Sequence, residues 1–355
     1  MLIRIENNLN NPLSVSFLDS NIKEFKKLID EGANVNCLSN SGNLLIDEVF
    51  RYLPIKSCSE YLKKLLENDV FLGELESKGF LSGVISHCDF DCLKILLDKG
   101  FSVDGLEAKK NGYDLPIFTA IGELCNGKDT ISFDKIHLLL EHNLDLSVVD
   151  YDGTPVLGFL IKNSSMDVVT GILPSFISKG CNLHQTNQNN FGLFHYGIQY
   201  NMGVEFFDVL LKNKVDINLA CGKGNTPLMI GIMFDRLEIV DYLLKNKVDI
   251  NFANNSGVTS LMVAADFSPK SFFTLLDHGA DIFAVDNNGQ TALHRLARSC
   301  CLSKENVGIF KKHKDMLLLE NKNGISVLDI IKKKNGKKEW KELFDLTKTA
   351  IPSLC

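Results

Sequence analysis

Apolar pairs recur along the chain at a spacing close to 33 residues. The stretch Leu210-Leu211-Lys212-Asn213-Lys214-Val215-Asp216-Ile217-Asn218 returns unchanged as Leu243-Leu244-Lys245-Asn246-Lys247-Val248-Asp249-Ile250-Asn251. Looser copies begin at Leu28, Leu96, Leu139 and Leu275. A second block precedes them: Gly224-Asn225-Thr226-Pro227-Leu228-Met229, Gly257-Val258-Thr259-Ser260-Leu261-Met262, Gly289-Gln290-Thr291-Ala292-Leu293-His294 and Gly324-Ile325-Ser326-Val327-Leu328-Asp329. A fixed period of this length marks a repeat array, in which each unit buries its apolar face only by stacking on its neighbours. Within each unit the apolar residues fall at helical spacing and predict two short helices.

The turn chemistry agrees with that division. A Thr ahead of the first helix can accept from an orphan N–H, and Pro at the first helical position loses no hydrogen bond. A Gly after the second helix permits a left-handed cap, at positions 32, 100, 180 and 279. Asp69, Asn143, Lys214, Lys247 and His313 fill the same slot, where a lysine or histidine costs on the order of 1 kcal/mol if left-handed. Asp150-Tyr151-Asp152-Gly153 is a hairpin tip; no Glu follows at calcium-loop spacing.

A unit of Gly, any residue, Thr-Pro-Leu-His, two helices and Gly-Ala-Asp-Val-Asn resembles the ankyrin repeat. The resemblance covers roughly residues 11–346 and is most specific from Asn187 onward. It implies an all-α ankyrin-repeat solenoid of stacked helix-turn-helix units joined by β-hairpin-like loops. Ten units are expected: 11–38, 39–77, 78–108, 109–149, 150–187, 188–220, 221–253, 254–285, 286–320 and 321–346. Residues 1–10 and 347–355 are terminal extensions. Loops are expected at 122–130 and 299–306 within their units. No Pro-rich or Gly/Ser-rich linker interrupts the series, so one continuous domain is expected.

Composition narrows the function class. Lys and Arg number 38 against 44 Asp and Glu, a net charge of −6, which gives no general attraction for nucleic acid. No apolar run approaches the roughly 18–20 residues that span a bilayer, and the first residues lack a basic segment followed by an apolar one. The ten cysteines are scattered, with Cys88 and Cys92 four apart and no CxxC pair, so neither a zinc site nor a disulfide scaffold is expected. Small buried hydrophobes in a reducing, cytoplasmic compartment account for them. A monomer with no cofactor and no metal is the expectation.

The resemblance implies a non-enzymatic scaffold that binds a partner protein through its concave face. In ankyrin proteins the hairpin tips and the ends of the first helices commonly make that contact. Here Tyr200, Phe234 and Phe267 stand at equivalent late positions of three first helices, beside Met233, Asp266 and Arg298, with Asn255 and Asn288 at the tips. Aromatics and Arg are frequent binding anchors, but rings at helical spacing also serve as core, and the sequence leaves both open. Asn218 and Asn251 match ankyrin asparagines that a hydroxylase modifies, which makes them candidate hydroxylation sites; the turn itself also explains an Asn there.

Other readings carry less. His195 and His294 stand where the family has a structural His. His137 and His142 are five apart, which does not place them on one helix face as a zinc pair. His87-Cys88 and His294 with Cys300 lack any signature of a nucleophilic dyad. The run Lys332–Lys341 is a solvated face, with Trp340 anchoring the closing helix. A second functional reading is an effector delivered into a host cytosol by an intracellular bacterium. A third is an enzyme in the diverged residues 1–110, where repeat endings leave no room for a catalytic domain.

Overall fold

The computed structural model describes residues 11–39, 43–53, 55–72, 75, 79–104, 114–125, 131–142, 144–299 and 304–333. The chain forms two compact units, Met1–Asn182 and Leu183–Cys355. Among the described residues the regular structure is helical, with only isolated antiparallel bridges such as Val149 to Pro155 and Ala253 to Thr259 at hairpin bases.

Among the described residues the first unit holds five helix pairs: α1 (Pro12–Leu18) and α2 (Ile22–Asp30), α3 (Leu45–Tyr52) and α4 (Ile55–Leu66), α5 (Phe80–His87) and α6 (Phe90–Asp98), α7 (Pro116–Cys125) and α8 (Ile131–Glu141), α9 (Val156–Asn163) and α10 (Met166–Ser178). First helices pack on first helices down the row, and second helices on second helices. Each pair therefore buries its apolar stripe on the next, the arrangement of a solenoid. Phe17, Phe25 and Tyr61 close one end, fully buried with ring centroids 4.8–5.9 Å apart.

The second unit repeats the scheme with α11 (Leu193–Gln199) and α12 (Val204–Lys212), α13 (Pro227–Met233) and α14 (Leu237–Lys245), α15 (Ser260–Phe267) and α16 (Pro269–Asp277), α17 (Ala292–Arg298) and α18 (Lys304–Lys312), then a 3-10 turn (Lys314–Leu318) and α19 (Val327–Lys333). Here too α11, α13, α15, α17 and α19 form one continuous row of first helices. Thr226, Thr259 and Thr291 cap them as the sequence predicts, each hydroxyl accepting an N–H three residues on at 3.4 Å.

Second helices end in one recurring motif. After α2 the Gly32 N–H donates to Ile29 and the Ala33 N–H to Leu28, both at 2.9 Å, around a left-handed Gly32. The same pair of bonds closes α6, α10, α12, α14 and α16, and the residue that follows the left-handed position is always apolar or small: Phe101, Cys181, Val215, Val248, Ala280. Lys214 and Lys247 do adopt positive φ, 59° and 58°. His313 does not: its φ is −113°, because the chain runs on into the 3-10 turn instead of reversing. Asp69 is not left-handed either; the Asn68 side-chain amide donates to the Lys64 carbonyl at 2.7 Å and caps that helix another way. Asn143 lies outside the described residues.

Two expected loops are shorter than predicted. Gly122–Cys125 belongs to α7 and Lys304–Asn306 to α18, leaving 126–130 and 300–303 outside the described residues. The extensions 1–10 and 347–355, most of the lysine run and Trp340 also lie outside them.

Hairpin tips in the second unit touch one another through backbone. Gly222 N–H donates to the Asn189 carbonyl, Asn255 to Lys223, Asn287 to Ser256 and Lys322 to Asn288, at 2.5–3.3 Å. The approach is so close that a Cβ at Gly257 (φ 75°) would lie 2.8 Å from the Asn287 amide nitrogen. Gly279 (φ 85°) has the same backbone strain but open space around it. Gly279→Ala should therefore cost about 1 kcal/mol, and Gly257→Ala roughly 2–3 kcal/mol from strain plus the lost tip contact. Denaturant unfolding of the two variants measures the difference.

Candidate functional site

Counting from the residue that caps each first helix locates the predicted face. Six positions on from Gly192, Thr226, Thr259 and Thr291 stand Ile198, Ile232, Ala265 and Ala297, all buried. Seven and eight positions on, the helix has run past its neighbours, and side chains leave the core. Those slots hold Gln199-Tyr200, Met233-Phe234, Asp266-Phe267 and Arg298-Ser299. Phe234 is 45% exposed, Phe267 59% and Met233 41%, whereas Tyr200 is half-buried. The two phenylalanines are surface residues: Phe234 is the C-cap of its helix and Phe267 the last residue of its own, both past the last buried apolar position.

The backbone under these rings is fixed. Asp235, directly after Phe234, sits at φ 52° in the turn between helices. Its carboxylate accepts from the hydroxyl of Ser268, directly after Phe267, at 2.9 Å. Ser268 is buried and also caps α16 through the Ser271 N–H. Neighbouring repeats are thus tied together between the two aromatic positions.

Asp266 and Arg298 are engaged as well as exposed. Arg295 bridges Asp266 at 2.5 Å and Asp286 at 2.8 Å. Burial pushes the Asp286 carboxyl up, but the N–H groups of Gln290 and Asn288 and the Arg295 guanidinium outweigh it and hold the pKa below the ordinary value. Arg298 hydrogen-bonds the Gln290 side chain. Asn255 and Asn288 are exposed tip residues; Asn255 also donates its side-chain amide to the Gly222 carbonyl at 2.9 Å. Sequence reasoning missed Arg295, whose partners lie 29 and 9 residues away.

The remaining candidates have structural places. The Asn218 and Asn251 side-chain oxygens accept the N–H of Asp249 and Asp281 in the following repeat, each at 2.8 Å. His195 is fully buried; its Nδ1 accepts the Gly192 N–H at 3.2 Å and its Nε2 donates to the Asn225 carbonyl of the next hairpin at 3.2 Å. His294 likewise accepts the Thr291 N–H at 3.1 Å. His137 is exposed and His142 half-buried, and no group of His, Cys, Asp and Glu among the described residues could hold a metal. No helix among them is long and apolar enough to cross a membrane. In the first unit a cavity of about 240 Å3 lies between Phe118, Phe159 and the tip Asp150–Asp152. Phe118 occupies the helix position that His195 and His294 hold elsewhere, and it packs edge-on against Phe159 at 5.0 Å.

The sequence model of the ankyrin-repeat family, three repeats long, matches residues 162–254 and again residues 194–286. Residues 162–286 are ankyrin repeats. No curated protein matches the chain. The matched stretch contains Tyr200, Phe234 and Phe267 together with the paired Asp266, so the aromatic positions belong to ankyrin first helices. Ankyrin repeats generally mediate protein–protein interaction, and their proteins are typically non-enzymatic.

His195 gives the array a pH signature. Burial lowers its pKa from 6.5 to about 4, opposed by the Asn225 carbonyl. The unfolded chain then binds more protons between pH 6.5 and 4, so this residue's share of stability is full above pH 6.5 and is lost as pH falls to about 4. The loss is about 3 kcal/mol at most. His195→Gln keeps an acceptor for the Gly192 N–H and cannot charge. Its stability relative to wild type should improve by that amount between pH 7 and pH 4, read from paired unfolding curves.

Proposed function

We propose that this chain is a non-enzymatic scaffold that binds a partner protein through the first-helix ends and hairpin tips of residues 188–299. Exposure of Phe234 and Phe267 at equivalent positions of adjacent ankyrin repeats is the observation that carries the reading. Large rings in water have no stabilising role there, and aromatics held on a rigid base bind with little ordering cost. Met233 extends the apolar centre. Asp266, Arg298, Asn255 and Asn288 form the polar rim, and the half-buried Tyr200 borders it.

The test is affinity capture with wild-type protein and with Phe234→Ala/Phe267→Ala, followed by titration of the purified partner. Binding should weaken at least about tenfold in the double variant. Its stability should change by no more than about 1 kcal/mol per site, as for exposed residues. Equal binding by both proteins, or a large loss of stability with no change in a partner's affinity, would overturn the assignment. A Phe283→Ala control, altering an exposed ring (64%) on a different part of a hairpin, should leave binding intact.

A further inference from the structure

We propose that the cavity in the first unit binds a methylated ammonium head group. Its two sides come from neighbouring repeats: the entry and first turn of α7 on one, the following hairpin tip and α9 on the other. Leu115 and Phe118 are buried and make the floor. Phe159 is half-buried, and Tyr151, 61% exposed, stands at the mouth. The rings of Phe118 and Phe159 meet at 71° with centroids 5.0 Å apart, so aromatic surface walls the space from both repeats.

The second unit shows what a carboxylate at this place takes as its partner. Asp150 and Asp286 are each the first residue of a tip, and each accepts two tip N–H groups on Oδ1. Nine residues after Asp286 stands Arg295, whose guanidinium donates to Oδ2 at 2.8 Å. Nine after Asn187 stands Tyr196, whose hydroxyl accepts from the Asn187 amide at 3.2 Å. The same count from Asp150 reaches Phe159, which brings neither a charge nor a polar atom. Among the described residues Asp150 has no ion-pair partner, and the space between it and Phe159 is the cavity. The cation that Arg295 provides beside Asp286 must here come from outside the chain.

The lining decides which cation. Among the described residues no group of carboxylates converges closely enough to hold a metal ion, and the floor is ring and alkyl where a hard metal needs oxygens. A bare ammonium keeps three N–H donors that this floor cannot accept. A methylated one has lost those donors and is attracted by ring faces within about 6 Å of their centroids. Asp114, Asp150 and Asp152 add negative charge around the opening. Asp152 is shared with Lys162 of α9 at 3.8 Å, an exposed pair and therefore a weak competitor. The volume of about 240 Å3 falls below the roughly 300–1,000 Å3 of pockets that enclose whole small molecules, so one head group fills it.

Titration of the intact chain with choline, and separately with its neutral isostere dimethylbutanol, tests this. The methyl resonances of Leu115 and Val149, which line the cavity, report occupancy. Choline should shift them and bind at least about tenfold more tightly than the alcohol. Asp150→Asn preserves the tip, because Asn187, Asn254 and Asn321 make the same two bonds in their own tips. Combined with Asp152→Asn it should weaken choline about tenfold and leave the alcohol's affinity and the melting temperature unchanged. Tyr151→Ala, at an exposed ring, should weaken choline severalfold with the fold intact. A trimethyllysine peptide bound more tightly than choline places the head group on a protein, and the reverse order places it on a free small molecule; both support the site. Leu115 and Val149 resonances that stay unmoved in excess choline would overturn the proposal. So would equal affinity for the alcohol, or choline binding by the double asparagine variant at wild-type strength.

Discussion

A repeat hairpin presents backbone N–H groups that no strand is there to accept, and in five of the described hairpins one side chain at the first tip position solves the problem. Asp150, Asn187, Asn254, Asp286 and Asn321 each place a single Oδ1 on two N–H groups, two and four residues on. That contact fixes the tip before any neighbour arrives. In the second unit it leaves outer carbonyls and amides aligned for the next tip, which then docks through backbone bonds and asparagine side-chain amides. Cys221 is the exception at this position, and there the neighbouring Gly222 makes the short bond to Asn189.

A second tie lies at the other end of the hairpin. Asp216 and Asp249 each accept the N–H two residues on, and Asn218 and Asn251 pass a hydrogen bond to the following repeat. The first unit does the same with different letters: Asp104 accepts from Asp145, and Asn36 both donates to the Asp69 carbonyl and accepts from Phe71. The series stops at Phe283, which has a ring where the asparagine should be and meets His313 instead. There the chain departs from the pattern into the 3-10 turn.

What was legible in the sequence is what the backbone dictates locally. The period, the Thr caps, the left-handed glycines and the histidines at the third helical position each act within a few residues of themselves, and a single chain displays them. Contacts that close across repeats were harder to see. Arg295 finds Asp286 within its own repeat and Asp266 only once the preceding repeat lies beside it. Ser59 lies 33 residues before Cys92, one full period, but the diverged repeats of the first unit hide that register. The aromatic row was ambiguous for a geometric reason. Ile232 and Phe234 are both apolar and two residues apart, and only the end of the helix decides that one is buried and the other is not.

That geometry also separates stability from recognition. The ties between repeats use backbone groups and a few short polar side chains, so they place almost no demand on the seventh and eighth positions of the first helix. Gln199-Tyr200, Met233-Phe234, Asp266-Phe267 and Arg298-Ser299 stand at the same count from the helix start and share almost no chemistry. Positions that the fold requires would not tolerate such variety. The hydrogen bond between Ser268 and Asp235 runs beneath two of these pairs, holding their backbone whatever ring is attached. A surface built this way can be altered at eight side chains while the helices and tips below remain as they are.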